Sequence, residues 1–286
     1  MIITGILGIS VSAILIRFSQ APSAVTAAFR LLWTVVLMSP VVWGKKELRR
    51  ELLSVSPKTA LKCALSGIFL AVHFIFWFES LRRTSVASAA TIVCTEVIWV
   101  SLGFCLFMKG KLSGKAVLAI AVAFAGSVMI AFADSAAGGS HLHGDLLALI
   151  AAVAAAVYML IGRSVRSDTS TTVYTYLVYA VCAAALVCVG LVQGHSFVHS
   201  HISGLIVGFL LAVFSTILGH SIFSWCLRFF SPSFVSASKL CEPVVASVLA
   251  AFLFGEIPSL LQAAGAVLII GGVYYYSRLE KGEAQK

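Results

Sequence analysis

The segment Ser238-Lys-Leu-Cys-Glu242-Pro-Val-Val-Ala-Ser-Val-Leu-Ala-Ala-Phe-Leu-Phe-Gly255-Glu256 decides the fold class of this chain. It is an apolar run of roughly 20 residues, the length that crosses a bilayer as a helix. It nevertheless carries Lys239, Glu242 and Pro243. A charge within a membrane helix is costly, and such residues therefore indicate a functional site. The segment predicts a membrane helix that contributes to a polar site.

The composition excludes an ordinary soluble domain. Hydrophobic residues make up 60% of the chain and charged residues 11%, against about 25% charged in soluble proteins. Continuous apolar runs argue against a β-barrel, whose strands alternate. The seven cysteines lie in apolar segments and are interpreted as small core residues. We find no P-loop, dinucleotide fingerprint or nucleophile–base motif, and we predict a non-enzyme without catalytic residues or cofactors.

Ten hydrophobic segments predict an all-α membrane protein with ten transmembrane helices. The predicted spans are 2–17, 23–43, 61–81, 84–107, 115–133, 145–162, 172–192, 204–227, 233–254 and 259–277. The run Ile2–Ile16 lacks a preceding basic segment, so we read it as a short or truncated first span rather than a cleavable signal peptide. The longest polar loop is expected at Gly44–Lys58, and a glycine-rich break at 133–144 separates five spans from five.

The two halves repeat at an offset of 146 residues. The matching pairs are Leu81-Arg82 with Leu227-Arg228, Glu96 with Glu242, Ser113 with Ser259, and Gly126 with Gly272. An odd number of spans per half inverts the second copy in the membrane, as in many secondary carriers. We therefore predict two inverted five-helix repeats, at 1–134 and 144–278, followed by a cytoplasmic tail at 279–286.

Basic residues concentrate on one predicted side of the membrane. Those on the side of the N-terminus are Lys45, Lys46, Arg49, Arg50, Lys58, Lys62, Lys109, Lys111, Lys115, Arg163, Arg166, Arg228, Arg278, Lys281 and Lys286. The opposite side carries only Arg17, Arg82 and Arg83. By the positive-inside rule, both termini are expected in the cytoplasm. The basic residues are thus orientation signals in the inner membrane, and no nucleic-acid partner is predicted.

Polar side chains gather on one face of the fourth predicted span. They are Ser85, Ser88, Thr91, Thr95, Glu96 and Trp99, within an arc of about 140°. Such an arc is expected to face other helices or a water-filled cavity. The alternative is interhelical hydrogen bonding by serine and threonine, although Glu96 needs more compensation than a hydroxyl.

Two histidines and two tryptophans are further candidates for the transport site. His73 on the third span and His220 on the eighth could change charge in a proton-coupled step, or could be satisfied core histidines. Trp77 and Trp99 could stack against a flat or cationic substrate, and core packing explains them equally well.

Four charged residues lie within predicted spans. Lys239 and Glu242, three residues apart, are expected to pair on one helix face. Arg30, inside the second span, could be a structural clamp or a binding group for an anionic substrate. Glu96 has no basic neighbour on its own helix, so we expect it to exchange protons while Glu242 stays ionised. Pro243 should kink the ninth span, whereas the fourth span has Val97 at that position.

An outer loop contains His195, His199 and His201 in an HxxxHxH pattern. Neutral imidazoles of this kind can bind a transition metal. No acidic residue or cysteine accompanies them, and loops tolerate histidine freely. We therefore predict no metal site.

Several motifs resemble the EamA-type branch of the drug/metabolite transporter superfamily. They include Val72-His-Phe-Ile-Phe-Trp77, Leu218-Gly-His-Ser-Ile-Phe-Ser-Trp225, Glu242-Pro-Val followed by Leu253-Phe-Gly-Glu256, and Phe29-Arg30. The resemblance implies ten helices in two inverted repeats and a central cavity open alternately to each side. The chain departs from the family pattern at Val97, where a proline is usual, at Lys109-Gly110, where Gly-Glu is usual, and at Lys239.

The sequence thus predicts a secondary active transporter of the cytoplasmic membrane that exports a small metabolite, amino acid or drug-like compound. Its expected partners are a small-molecule substrate, protons and the lipid bilayer. One alternative is uptake or exchange of an anionic metabolite, with Arg30 and Lys239 as binding groups. A non-transporting membrane protein or an intramembrane enzyme is the other. Substrate identity, direction, coupling ion and oligomeric state are left open.

Overall fold

The computed structural model describes residues 1–84, 86–134, 142–165, 169–254 and 259–284, and these residues form helices and no strand. Ser85, the centre of the glycine-rich break, and the Gly255-Glu256 motif lie outside the described residues, as does the side chain of Ser88. The helices of the first half are α1 (Ile2–Ser10), α2 (Ser12–Arg17), α3 (Ser23–Gly44), α4 (Lys46–Leu53), α5 (Pro57–Arg83), α6 (Val86–Val93), α7 (Glu96–Met108) and α8 (Gly114–Asp134).

The second half contains α-helices, a π-helix and a 3₁₀ turn. These are α9 (Leu142–Val165), α10 (Thr171–Val192), α11 (Ile202–Leu210), a π-helix (Leu211–His220), α12 (Ser221–Cys226), α13 (Pro232–Ser238), a 3₁₀ turn (Lys239–Cys241), α14 (Glu242–Phe254) and α15 (Leu260–Ala284). Helix covers most of the described residues of each predicted span, with turns at Val11 and at Cys94-Thr95. The predicted loop at Gly44–Lys58 differs, because it contains α4, an amphipathic helix without a buried residue.

Among the residues that the structure describes, seven helical stretches are long and apolar enough to cross a membrane. They are Ser23–Gly44, Pro57–Arg83, Ala89–Met108, Leu142–Val165, Thr171–Val192, Ile202–Cys226 and Leu260–Leu279. Ile2–Arg17 and Gly114–Met129 are shorter apolar helices. Large apolar side chains such as Phe107 and Phe252 are exposed on the outside of the protein. In water such a surface would aggregate, and it is the surface expected of a multi-pass membrane protein.

Local sequence explains several helix ends. Ser56, Ser170 and Ser231 each accept a hydrogen bond from the backbone N–H three residues later, as N-cap residues do. Proline follows Ser56 and Ser231 at the first helical position, where its missing N–H costs nothing. The boundaries of α5, α10 and α13 therefore follow from sequence.

Close helix packing depends on small residues at the contact between α8 and α15. A Cβ atom on Gly126 would lie 2.5 Å from the carbonyl oxygen of Gly265, and one on Gly272 would lie 2.8 Å from that of Ala119. Each glycine thus lets the other helix approach its backbone, as small residues do in membrane helix pairs. Gly271, in contrast, faces open space.

Candidate functional site

The fourth and ninth predicted spans are each broken at the same place. α7 begins at Glu96 and α14 at Glu242. The two glutamates are 146 residues apart, the offset of the sequence repeat. A carboxylate in the first turn of a helix is stabilised by the positive end of the helix dipole. The breaks therefore present two equivalent carboxylates at helix N-termini.

The break before α14 is a 3₁₀ turn at Lys239–Cys241, immediately ahead of Pro243. The break before α7 occurs without a proline, which corrects the expectation that Val97 removes the interruption. Here Thr95 Oγ1 donates to the carbonyl of Ile92 at 2.6 Å. The N–H groups of Val97 and Ile98 bond three residues back, to Cys94 and Thr95. A side-chain hydrogen bond and a tightened turn thus replace the proline.

Lys239 does not pair with Glu242, and the predicted ion pair is wrong. Its Nζ atom lies 2.8 Å from Oε1 and 3.1 Å from Oε2 of Glu96. The two side chains are largely buried, with 12% and 7% of their surfaces exposed. The reason is tertiary: α13 packs against α7, which brings the turn after α13 to the start of α7. The expectation that Glu96 lacks a basic partner is wrong for the same reason.

Glu242 is half-buried and has no ion pair or hydrogen bond from its carboxylate within the described part of the chain. It interacts electrostatically with Lys239, Glu96 and Arg30. Because Glu96 already neutralises Lys239, Glu242 is the carboxylate that remains available to another group. The equivalent of Lys239 in the first half is Val93, which offers Glu242 no countercharge.

Arg30 lies on α3 and is 1% exposed. Its Nε donates to Thr216 Oγ1 at 2.7 Å and its Nη2 to Ser215 Oγ at 3.0 Å. The guanidinium carbon also lies 4.2 Å from the centre of the Phe74 ring. Two hydroxyls and an aromatic face hold the cation, and among the described residues no carboxylate lies within ion-pair distance. Arg30 is therefore a positioned cation without a counter-ion.

The hydroxyls that hold Arg30 belong to the π-helix. Thr216 Oγ1 donates to the carbonyl of Leu211, five residues back, at 3.2 Å. π-helical turns are rare and often mark functional sites. On the opposite side, Gly8 of α1 approaches this segment so closely that a Cβ would lie 2.5 Å from the Phe214 carbonyl oxygen. The segment is thus held between α1 and Arg30.

The two candidate histidines meet. Their ring centres are 6.2 Å apart, and His220 also contacts Phe74 and Tyr158. His73 Nδ1 lies 2.9 Å from the carbonyl oxygen of Ala151, and because a carbonyl only accepts, Nδ1 donates. His73 is thereby fixed as a buried residue between α5 and α9, whereas His220 is held by ring contacts.

The other candidates from the sequence are the two tryptophans, Thr91 and the loop histidines. Trp77 is buried in the hydrophobic core, and Trp99 is 37% exposed. Thr91 donates across to the carbonyl of Ser127 on α8, which is the interhelical bond considered as the alternative for the fourth span. Among the described residues no three metal-binding side chains gather. His199 and His201 instead bond Ser196 and Ser203.

Sequence reasoning missed the aromatic and hydroxyl partners of the charges. Phe74 lies against Arg30, and the Phe223 ring centre is 5.5 Å from Lys239 Nζ. Ser224 bonds the Tyr158 hydroxyl at 2.9 Å, and Ser221 bonds the Tyr179 hydroxyl at 3.0 Å. Phe74 directly follows the candidate His73 in the sequence, and this position was the available indication that Phe74 belongs to the site.

Comparisons with known proteins agree with this architecture. The profile of the EamA-like transporter family matches residues 1–132 and 142–278, which confirms the resemblance inferred from the motifs. An uncharacterized transporter of Bacillus subtilis, YxxF, is 25% identical over 76% of this chain and 70% of its own length. An uncharacterized transporter of Clostridium kluyveri is 24% identical over 90% of this chain and 86% of its own. A crystal structure superposes with a TM-score of 0.77 at 18% identity, over 98% of this chain and 96% of that one, which shows a shared fold.

Proposed function

The chain belongs to the EamA-like transporter family, and from this premise we propose that it is a secondary active transporter. It exports a small metabolite, amino acid or drug-like compound across the cytoplasmic membrane by alternating access. The observation that carries this function is the pair of helix breaks at Glu96 and Glu242. Discontinuous helices near the membrane midplane are where secondary carriers bind substrates and coupling ions.

The proposed architecture is ten spans in two inverted repeats, with both termini in the cytoplasm. Three observations support it: helix at each predicted span, a family profile that matches the chain twice, and the equivalent breaks before α7 and α14. The repeats would rock about the charged cluster, which consists of Arg30, Glu96, Lys239 and Glu242. This movement would expose the cluster alternately to each side of the membrane. Protons and the substrate are the proposed partners, and no chemical conversion of the substrate is involved.

The charges of the cluster favour a zwitterionic substrate. Lys239 and Glu96 neutralise each other, so Arg30 and Glu242 are the charges that remain. A buried charge is costly unless it is paired. A small molecule with one carboxylate for Arg30 and one ammonium group for Glu242 would compensate both. Amino-acid-like compounds fit this requirement best.

Proton coupling is now better assigned to Glu242 than to Glu96. Glu96 is already paired with Lys239, which donates to both of its oxygens. A carboxylate that binds a proton in one state and a substrate cation in another must be free of a permanent ion-pair partner in the protein. Glu242 has no ion-pair partner among the described residues. His73 and His220 are the next candidates for proton transfer.

Uptake or exchange of an anionic metabolite is the second candidate function, and Arg30 favours it. A cation positioned by two hydroxyls, without a carboxylate, is suited to bind an anionic group. In this case Glu242 would carry a proton rather than bind an ammonium group. Dicarboxylates and amino acids therefore distinguish the two functions.

Counterflow in proteoliposomes tests both proposals. Panels of L-amino acids and of dicarboxylates would first be screened by thermal shift, since a ligand that binds the folded state raises its stability. We expect amino-acid counterflow by the wild type. Glu242→Gln should weaken binding by about 10- to 100-fold, because hydrogen bonds to charged groups contribute about 1.5–3 kcal/mol. Glu79→Gln, at an exposed ion pair with Arg83, is the matched control.

Three outcomes would contradict the proposal. Counterflow of dicarboxylates alone would favour the anionic alternative. Absence of counterflow with every compound that shifts the melting temperature would indicate a non-transporting protein. Full amino-acid transport by Glu242→Gln would remove this residue from the site.

A further inference from the structure

A cavity that is lined by none of Arg30, Glu96, Lys239 and Glu242 lies at the end of the protein predicted to face the cytoplasm. Its volume is about 230 Å³. The first half of the chain lines it with the end of α7 and the start of α8, and the second half with the end of α9, the loop before α13 and α15. The cavity therefore lies between elements of the two halves.

The polar lining of this cavity is suited to an anion. Lys111 and Arg163 supply two positive charges, and Ser113 and Ser231 supply hydroxyl groups. None of the lining residues among those that the structure describes is acidic. One N–H of Arg163, on Nη1, donates to the carbonyl of Leu227, which fixes the guanidinium and leaves its other donors for a ligand. Fixed guanidinium donors are well matched to phosphate oxygens.

The apolar lining indicates where the rest of such a ligand would lie. Phe104, Phe229 and Phe230 form walls of the cavity, and Phe229 is 56% exposed on the outer surface. An exposed aromatic ring at the wall of such a cavity is suited to contact a hydrocarbon chain. The combination of basic side chains and aromatic walls matches a molecule with an anionic head and a hydrocarbon tail.

The size of the cavity decides against a whole drug-sized compound. Pockets for such ligands have volumes of about 300–1,000 Å³, and this cavity is smaller. It corresponds to about eight liquid-water volumes, which accommodates a phosphate and its immediate substituents. Basic pockets between helices on the cytoplasmic side are where anionic lipid heads bind.

We propose that this cavity binds the phosphate of an anionic phospholipid, held by Lys111, Arg163 and the neighbouring hydroxyls. The bound lipid joins the α7–α8 segment to α9 and α15 and so stabilises the arrangement of the two halves seen here. The shared chemistry is a phosphate ester anion. A soluble phosphate ester is the alternative source, and the experiment distinguishes them.

Native mass spectrometry and thermal melting of the full chain in detergent test this site. The probes are phosphatidylglycerol, phosphatidylcholine and glycerol 3-phosphate. We expect saturable retention of phosphatidylglycerol and a rise in melting temperature that phosphatidylcholine does not give. Lys111→Gln should weaken phosphatidylglycerol binding about fivefold, the effect of one basic residue near an anionic membrane surface. Lys111→Arg should restore it.

The control is Lys58→Gln, an exposed lysine at the start of α5, which should bind like the wild type. Arg163→Gln is the second variant. Arg163 also bonds the carbonyl of Leu227, and if this variant does not fold for that reason, the result for Lys111→Gln tests the proposal alone. Equal binding of the two phospholipids, or equal loss in Lys58→Gln and Lys111→Gln, would overturn the proposal. Binding of glycerol 3-phosphate with no preference for phosphatidylglycerol would assign the cavity to a soluble ligand and overturn the lipid assignment.

Discussion

Lys239 Nζ lies 2.8 Å from Oε1 of Glu96, which is 143 residues away in the chain. This ion pair joins the turn before α14 to the first residue of α7. It makes the two repeat-related glutamates unequal, because one is neutralised within the protein and the other is not. Alternating access that separates these helices would have to break the pair.

Removal of the lysine should expose the cost of an uncompensated buried charge. We expect Lys239→Met to destabilise the protein by about 3–5 kcal/mol, and Lys239→Met/Glu96→Leu to recover most of this loss. Reversible unfolding in mixed micelles measures both values. A second double-mutant cycle, of Lys239→Met with Glu242→Gln, should give a much smaller coupling energy. If Lys239 were coupled more strongly to Glu242 than to Glu96, the observed pairing would be refuted.

A lysine introduced at position 93 should form an ion pair with Glu242. Val93 is 146 residues before Lys239, and each of the two precedes a glutamate, Glu96 or Glu242, by three residues. We expect Val93→Lys to keep or raise the melting temperature and to abolish amino-acid counterflow, since the new lysine competes with the substrate cation. Val93→Met is the size-matched control and should transport. Normal transport by Val93→Lys would contradict the role of Glu242.

Arg30→Lys should preserve the positive charge but lose the hydrogen-bonding geometry of the guanidinium group. An ammonium group cannot reproduce the fork that contacts Thr216 and Ser215 while presenting further donors. We expect the KM for a carboxylate-bearing substrate to rise about tenfold, corresponding to about 1.4 kcal/mol. Thr216→Val removes one hydroxyl and should give a smaller rise. An unchanged KM in Arg30→Lys would mean that the residue is a structural clamp.

Lys109→Gly should stabilise the protein. Lys109 ends α7 with φ 54°, in the left-handed region, and the N–H of Gly110 bonds the Phe104 carbonyl. A non-glycine residue in this conformation costs about 1–2 kcal/mol, so the variant should gain about 1 kcal/mol. Lys115→Gly, in the first turn of α8, should not stabilise. A lower melting temperature of Lys109→Gly would show that its side chain contributes more than the strain costs.

Cysteine labelling tests the proposed orientation. In a cysteine-free background, Gln193→Cys, after α10, should react with an impermeant maleimide added to intact cells. Glu47→Cys, on α4, should react only after lysis. Both positions are exposed, so reactivity reports the side of the membrane. Labelling of Glu47→Cys from outside would invert the topology.

Apolar runs predicted where helices lie, and the capping serines explain their ends. The interruption before Glu96 could not be predicted, because it depends on a Thr95 hydroxyl bonding its own backbone rather than on proline. Nothing in the local sequence marks Leu211–His220 as a π-helix. Its geometry depends on the close approach of Gly8 and on the hydrogen bonds to Arg30.

The candidate charges were found from sequence, whereas their partners were not. A charged residue in an apolar segment can be recognised from the sequence alone, but its neighbours in space are determined by helix packing. The spacing of Lys239 and Glu242 favoured a local pair, yet α13 packs on α7 and supplies Glu96 instead. The same limit applies to Arg30, whose hydroxyl partners lie more than 180 residues away.

The π-helix at Leu211–His220 makes this part of the chain sensitive to its length. The N–H of Ser221 bonds the carbonyl of Thr216, five residues back, so each turn holds one more residue than an α-helical turn. Loss of one residue would permit α-helical pairing within this segment. Family members with a one-residue gap here would present different side chains to the same arginine, and insertions and deletions in this segment are a route to new specificity.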